Sequence, residues 1–256
     1  MDAVIMAGGV PQPDEPLYAA TQGRSKALLD VAGKPMIQWV VDALEGATSI
    51  ENVVIIGLSE AEFPASGKVR ARLPNQGEMI ANIQSGIAKV VELNPAAEYI
   101  LLASSDIPGI TPAMVDWVTQ AAIASGGDIC YNIITRQTME ARFPTSRRTY
   151  ARLKDQEFCG GDMNVGRVRV ATTHKELWAK LIRARKNPLQ QAAFFGLDTV
   201  ALLLLRQLSL EQAAERVSQR MNLKACAIVC PHAEVGMDVD KPHQLEIMRA
   251  DLAKRG

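Results

Sequence analysis

The sequence predicts an α/β protein built on a mostly parallel, doubly wound sheet flanked by helices. Three observations carry that expectation. Short continuous apolar runs, stopped by glycine or polar residues, read as strands buried on both faces. Stretches with apolar residues at helical spacing lie between them. The two kinds alternate through the first half of the chain, as strand–crossover–strand units do.

The first strand is Ala3-Val4-Ile5-Met6, which runs into Ala7-Gly8-Gly9. Residues 10–26 follow as a loop with three prolines (Pro11, Pro13, Pro16) and little periodicity. A loop of this length inside a compact domain is commonly functional. Pro35 suits a helix start, and Met36, Ile37, Val40, Val41 and Leu44 fall on one face. Val53 to Gly57 is the second strand, and residues 78–92 form a helix with Ile80, Ile83, Ile87, Val90 and Val91 inward. Tyr99 to Ala103 is the third strand, ending at Ser104-Ser105-Asp106. Pro112 opens a helix to about Ala124, and Asp128 to Ile134 reads as a fourth strand. After Ile134 the pattern changes. Tyr150 to Leu153 and Gly161 to Val170 are β-rich, separated by the polar turn Lys154-Asp155-Gln156-Glu157. Helical spacing returns over 173–186, 188–206 and 209–220, the second with Leu202 to Leu205 consecutive; that run serves either a homodimer surface or internal burial. Cys226 to Val229 is a short strand. The last helix runs from Pro242 to Lys254-Arg255, basic residues that suit a helix C-terminus. The expected organisation is one domain over 1–256, with a first half over 1–134 and a different second region over 135–225 that contains a helical insert.

The chain has 256 residues, with 28 Lys+Arg against 28 Asp+Glu. Zero formal charge argues against a nucleic-acid binder, which needs a basic surplus. At 48% apolar it is no disordered chain. No apolar run approaches the ~20 residues that span a bilayer. Asp2 stands where a secretory leader would be basic, and four cysteines in this length are no disulfide framework. The expected location is the cytoplasm.

Glycines at the C-terminal end of a buried strand let backbone amides approach a phosphate or base. Neither G-x-G-x-x-G nor a P-loop G-K-[ST] is present, so Ala7-Gly8-Gly9 alone is equally a structural turn. The segment Arg24-Ser25-Lys26-Ala27-Leu28-Leu29-Asp30-Val31-Ala32-Gly33-Lys34-Pro35-Met36-Ile37 follows. Together the two resemble the sugar-phosphate and MobA-like nucleotidyltransferases, in which A-G-G precedes a P-K-x-L-x-x-[VI]-x-[GN]-[KR]-P-[ML] run. The match is close over 3–45 and looser through Asn75-Gln76-Gly77 and Ser105-Asp106 to Asp238-Val239-Asp240.

The resemblance implies a Rossmann-like, glycosyltransferase-A-like fold with a small β/helical acceptor-side lobe. It implies an Mg²⁺-dependent transfer of a nucleoside monophosphate from a nucleoside triphosphate to a phosphorylated small molecule, with release of pyrophosphate. Ala7, Gly8 and Gly9 then border the nucleotide. Lys26 neutralises charge on the departing pyrophosphate, with Arg24 as a bidentate helper. Lys34, further along the motif, is expected on the acceptor side. One departure stands out: Gly9 is followed by Val10-Pro11-Gln12-Pro13 rather than a short G-x-G-[ST]-R element, and Asp14 and Glu15 would repel a triphosphate unless they point away.

Asp106, at the end of the third strand, lies where this fold class binds ligands, and a carboxylate there suits Mg²⁺. Capping the helix near Pro112 is the alternative, although Thr111 is closer. The resemblance implies Asp240, just before the Lys241-Pro242 step, as the metal partner, with Asp238 on the same side of an extended stretch; Asp240 is equally placed to cap the last helix. Gln76, Gly77 and Asn82 occupy the position where relatives recognise the base. Gly161, Asp162 and Asn164 border the acceptor in relatives, or form a tight turn. Cys226, Cys230 and His232 have zinc-like spacing without a second cysteine pair, so buried inert thiols are the expectation. His174 and His243 lie on helices with no obvious partner. Two other functions compete: a glycosyltransferase of the same fold, for which Ser104-Ser105-Asp106 lacks the second acid of a D-x-D, and a non-catalytic nucleotide-binding module.

Overall fold

Ala3, Val4 and Ile5 are fully buried, as a strand covered on both faces must be. They belong to β1 (Asp2–Met6), which lies inside the sheet of a computed structural model that describes residues 1–65, 67–173, 202 and 205–255. Parallel neighbours flank it: β4 (Val53–Ile56), all four residues buried, and β6 (Tyr99–Ser104). The sheet continues outward from β4 to β5 (Val69–Leu73). Sequence reading passed over β5, whose Val-Arg-Ala-Arg-Leu alternation marks a half-buried edge strand rather than an apolar run.

On the other side the parallel succession is interrupted, within the mostly parallel sheet expected. β10 (Met163–Arg167) runs antiparallel between β6 and β7 (Ile129–Thr135). Met163 and Val165 are buried there, so β10 fills a core position. β7 also pairs with β11 (Ala225–Val229) and, at its far end, with β9 (Glu157–Gly160), which carries the short β8 (Ala151–Arg152). The β-rich stretch expected to reach Val170 leaves the sheet at Val168, whose N–H goes to Glu98 O, and becomes α6 (Val168–Thr173).

The helices follow the predicted periodicity closely. α2 (Met36–Gly46) and α4 (Pro112–Ser125) pack together against the larger core face, which also receives Leu245 and Met248 of α8 (Pro242–Leu252). α3 (Met79–Leu93) covers the opposite face over β1 and β4, with Ile87 and Val90 buried against Val4, Val54 and Ile56. α8 stops short of Lys254-Arg255. Single turns follow the glycine loop: α1 (Tyr18–Thr21) and a 3-10 turn over Lys26–Leu28. A two-residue hairpin joins β2 (Asp30–Val31) to β3 (Lys34–Pro35), and Ala32 and Gly33 both take the positive φ that such a turn demands. α5 (Arg136–Arg142) follows β7 directly. Of the three later helical segments, the third is α7 (Leu210–Met221), opened by a Ser209/Gln212 capping box. The first two, with His174, Leu203 and Leu204, lie almost wholly outside the described residues. Among the described residues no helix is long and apolar enough to cross a membrane.

Candidate active site

The glycine loop is shaped by its own chain. A Cβ on Gly8 would stand 2.7 Å from Asn75 Nδ2, and one on Gly57, which has φ +98°, would collide with Gly8 Cα. A Cβ on Gly9 would stand 3.4 Å from Lys26 Cε. Two anchors bring the motif lysine here. Ser25 Oγ donates to Ala7 O (2.8 Å), and Lys26 N donates to Gly9 O (2.9 Å). Ser25 Oγ also accepts from Ala27 N, starting the 3-10 turn that holds Lys26.

From that turn the Lys26 ammonium reaches two acids far away in sequence. Nζ lies 2.5 Å from Asp106 Oδ2 and 2.6 Å from Asp240 Oδ1, with 19% of the side chain exposed. Burial works against its charge, but Asp106 and Asp240 outweigh that and hold the pKa above the ordinary lysine range. Asp106 is oriented by Ser104 Oγ (2.5 Å to Oδ1), and its carbonyl accepts from Val239 N (2.9 Å). That backbone bond fastens the end of β6 to the stretch before α8, so Asp106, Asp238 and Asp240 present oxygens within 4.8 Å of one another. Neither alternative capping role is taken up. The N-cap of α4 is Thr111 and that of α8 is Lys241, while the Asp240 carboxylate goes to Lys26 and its N–H to Gln244 Oε1.

Arg148, which nothing in the sequence distinguished from its polar loop, forms an ion pair with Asp238. The loop is pinned by His243, the residue without an obvious partner in sequence, whose Nε2 lies 2.9 Å from Ser146 O. Burial and a hydrogen bond with Asp240 nonetheless push Asp238 up to about 8, whereas Asp240, against its burial, is held below the usual carboxylate range by Asp238 and Lys26. A fourth acid comes from the β9–β10 connection. Asp162 N donates to Val235 O and Asp162 O accepts from Ser104 N, which ties it beside the cluster. Burial, then the Asp106 charge, push Asp162 up to about 7.

Other predicted residues are engaged elsewhere. Asn82 is buried, and its amide is consumed by Gln76 N (2.7 Å) and Asn75 Oδ1 (2.9 Å). Gln76 Nε2 turns back onto Pro74 O. Both take part in shaping the loop, and Asn75, which also donates to Gly8 O and accepts from Gly77 N, is its hub. Gly77 has φ +82° with open space beside it. Asn164 accepts from Asn132 N through Oδ1 and donates to Gly161 O through Nδ2, a bracket between strands. Gly161 is close against Asn132 O, where a Cβ would stand at 3.0 Å. Lys34 pairs with Asp42 (2.7 Å) and lies over the Trp39 ring, so it does not join the cluster. Arg24 is exposed, with its N–H on Thr21 O. Cys230 Sγ donates to His232 O and the His232 ring packs edge-on to Trp117, while Cys226 sits in register with Cys130 across β11 and β7.

A cavity of about 430 Å³ opens beside Lys26, with Gly9, Val10, Pro11, Glu15 and Asp240 in its walls. Glu15 is turned onto its own loop, accepting from Gln12 N at 2.7 Å. The site thus combines a fixed ammonium, four carboxylates and an adjoining cavity at the C-terminal edge of parallel strands, where ligands bind in this architecture.

Comparison with known proteins gives the same direction. Residues 3–222 match the family profile of the MobA-like NTP transferase domain. The Bifunctional protein GlmU of Thermoanaerobacter pseudethanolicus is 30% identical over 104 residues, 41% of this chain; that stretch is about a fifth (22%) of the relative's length. A hypothetical transferase structure from Thermus thermophilus superposes with a TM-score of 0.82 at 31% identity, covering 95% of this chain and 98% of the other. CMP:2-keto-3-deoxy-manno-octonic acid synthetase complexed with CTP shares the fold, at TM-score 0.62, 18% identity and coverage of 99% and 98%.

Proposed function

Because the chain belongs to the family of MobA-like NTP transferase domains, we propose that it is an Mg²⁺-dependent nucleotidyltransferase acting on a phosphorylated small-molecule acceptor, a sugar phosphate or cofactor precursor. Residues 1–134 hold the nucleoside triphosphate, and 135–225 form the acceptor side of the same domain. An acceptor phosphate oxygen attacks the α-phosphorus in line. The new O–P bond forms as the bond to the β-phosphate breaks, and pyrophosphate leaves with the electron pair.

The observation that carries this reading is the convergence of Lys26, Asp106 and Asp240. Asp106 and Asp240, with Asp238 beside them, are hard oxygen donors of the kind Mg²⁺ takes, and the ammonium between two of them marks a cation position. Bound there, Mg²⁺ would supply charge neutralisation for the phosphates. The chain's own part is positional and electrostatic. Lys26, seated next to Gly9 at the cavity wall, places positive charge where the departing pyrophosphate develops its negative charge. The Asn75 amide holds the loop over Gly8 that borders the nucleotide. No protein nucleophile is required.

The test is a pyrophosphate-release screen with Mg²⁺, crossing the four ribonucleoside triphosphates with a panel of phosphorylated acceptors. One pairing should turn over, and Lys26→Ala should slow it by roughly 10²–10³, the usual cost of one preorganised electrostatic group. Absence of pyrophosphate release across the panel, or near-normal kcat in Lys26→Ala, overturns the reading.

A further inference from the structure

Lys26 already has two anionic partners in the protein, and both are needed elsewhere during the proposed reaction. Its ammonium lies 2.5 Å from Asp106 Oδ2 and 2.6 Å from Asp240 Oδ1, the carboxylates read above as metal ligands. A largely buried ammonium and a divalent cation repel strongly at such separations, so the same oxygen pair does not serve both. Of the other acids nearby, Asp238 is held by Arg148, and Glu15 is turned onto Gln12 N. Withdrawing a buried ammonium from its partners is costly unless another anion receives it. The cavity of about 430 Å³ has Lys26 and Asp240 in its walls and room for such an anion.

We infer that Lys26 is a resident cation that keeps the divalent metal out until a triphosphate draws the ammonium away. The inference rests on the reading of Asp106 and Asp240 as metal ligands. Metal and lysine compete for one pair of carboxylates, while nucleotide and metal assist each other. The order of addition follows: metal enters with the nucleotide, not ahead of it.

Binding of Mn²⁺ alone to the full-length protein, followed by the electron paramagnetic resonance signal of the free ion, tests this without turnover. Lys26→Ala should bind Mn²⁺ about tenfold more tightly than the wild type, the factor expected if the vacated arrangement is populated about a tenth of the time. Lys26→Gln, which removes the charge but keeps a hydrogen-bonding side chain, should do the same if the alanine variant folds poorly. Lys26→Arg should stay near wild type, and so should Lys34→Ala, whose partner is Asp42. The same Lys26→Ala protein should bind MnATP, MnGTP, MnCTP and MnUTP more weakly than wild type, reversing the sign. Equal or weaker binding of Mn²⁺ alone by both neutral variants overturns the inference. If instead Asp106→Asn and Asp240→Asn leave Mn²⁺ binding untouched in every background, it is the metal-site reading that fails.

Discussion

Burial and the charge of Asp106 push Asp162 up to about 7, so the folded protein holds its proton more tightly than the unfolded chain, where a carboxyl titrates near 4. Its contribution to stability is therefore greatest below about pH 4 and is lost as pH rises through about 7. Asp162→Asn should stabilise the ligand-free protein at pH 8 by on the order of 1–2 kcal/mol, with little difference at pH 4. Melting curves at the two values check this; a gap that does not widen with pH rules out the assigned titration. Asp106 differs in kind. Its carboxylate binds Lys26 and accepts from Ser104 without filling core volume, so Asp106→Asn should keep the circular dichroism spectrum and lose roughly 10²–10³ in turnover. Asp240→Asn should match it. Asp238→Asn should be milder, since that acid faces Arg148, and the reverse order would exchange the two roles.

Single elements carry the nucleotide side. The loop after β5 has no regular hydrogen-bond ladder of its own, and Asn75 replaces one with bonds to Gly8 O, Gly77 N and Asn82 Nδ2. Asn75→Ala should free the loop and leave Lys26 in place. The expected result is a KM for the triphosphate raised roughly tenfold with kcat changed much less, as for lost positioning outside the reacting centre. A fall in kcat at unchanged KM would instead put Asn75 at the chemistry. In this segment the sequence pointed to Gln76 and Asn82 rather than to Asn75. An amide in a polar loop shows its type in sequence and not its direction, and here backbone groups claim it first.

Across the whole molecule, the sheet holds the site because helices are seated closely on both faces. Gly86 of α3 meets β1 and β4, where a Cβ would stand 2.7 Å from Val4 Cγ1 and 2.9 Å from Ile56 Cδ1. Gly86→Ala gains about 1 kcal/mol of helix propensity but overpacks stiff β-branched side chains, which typically costs 1–3 kcal/mol. Overpacking should win, with a net loss of about 1 kcal/mol in urea unfolding. An unchanged or raised midpoint would show that α3 can shift on the sheet.

Local pattern settled much of this. Apolar runs located β1, β4, β6 and β7, helical spacing located α2, α3, α4 and α8, Asp106 was named from its place after a strand, and Lys26 and Asp240 from the family motif they resemble. These are properties of a few consecutive residues, whose burial and periodicity are visible in one dimension. Tertiary structure alone decided the rest. It inserted β10 antiparallel between β6 and β7, which brought Asp162 to the acids; it paired Arg148 with Asp238 and Lys34 with Asp42; and it tied up the amides of Asn82 and Asn164. Partner choice for a charge or an amide depends on which distant groups share its desolvated volume, and no spacing along the chain encodes that volume.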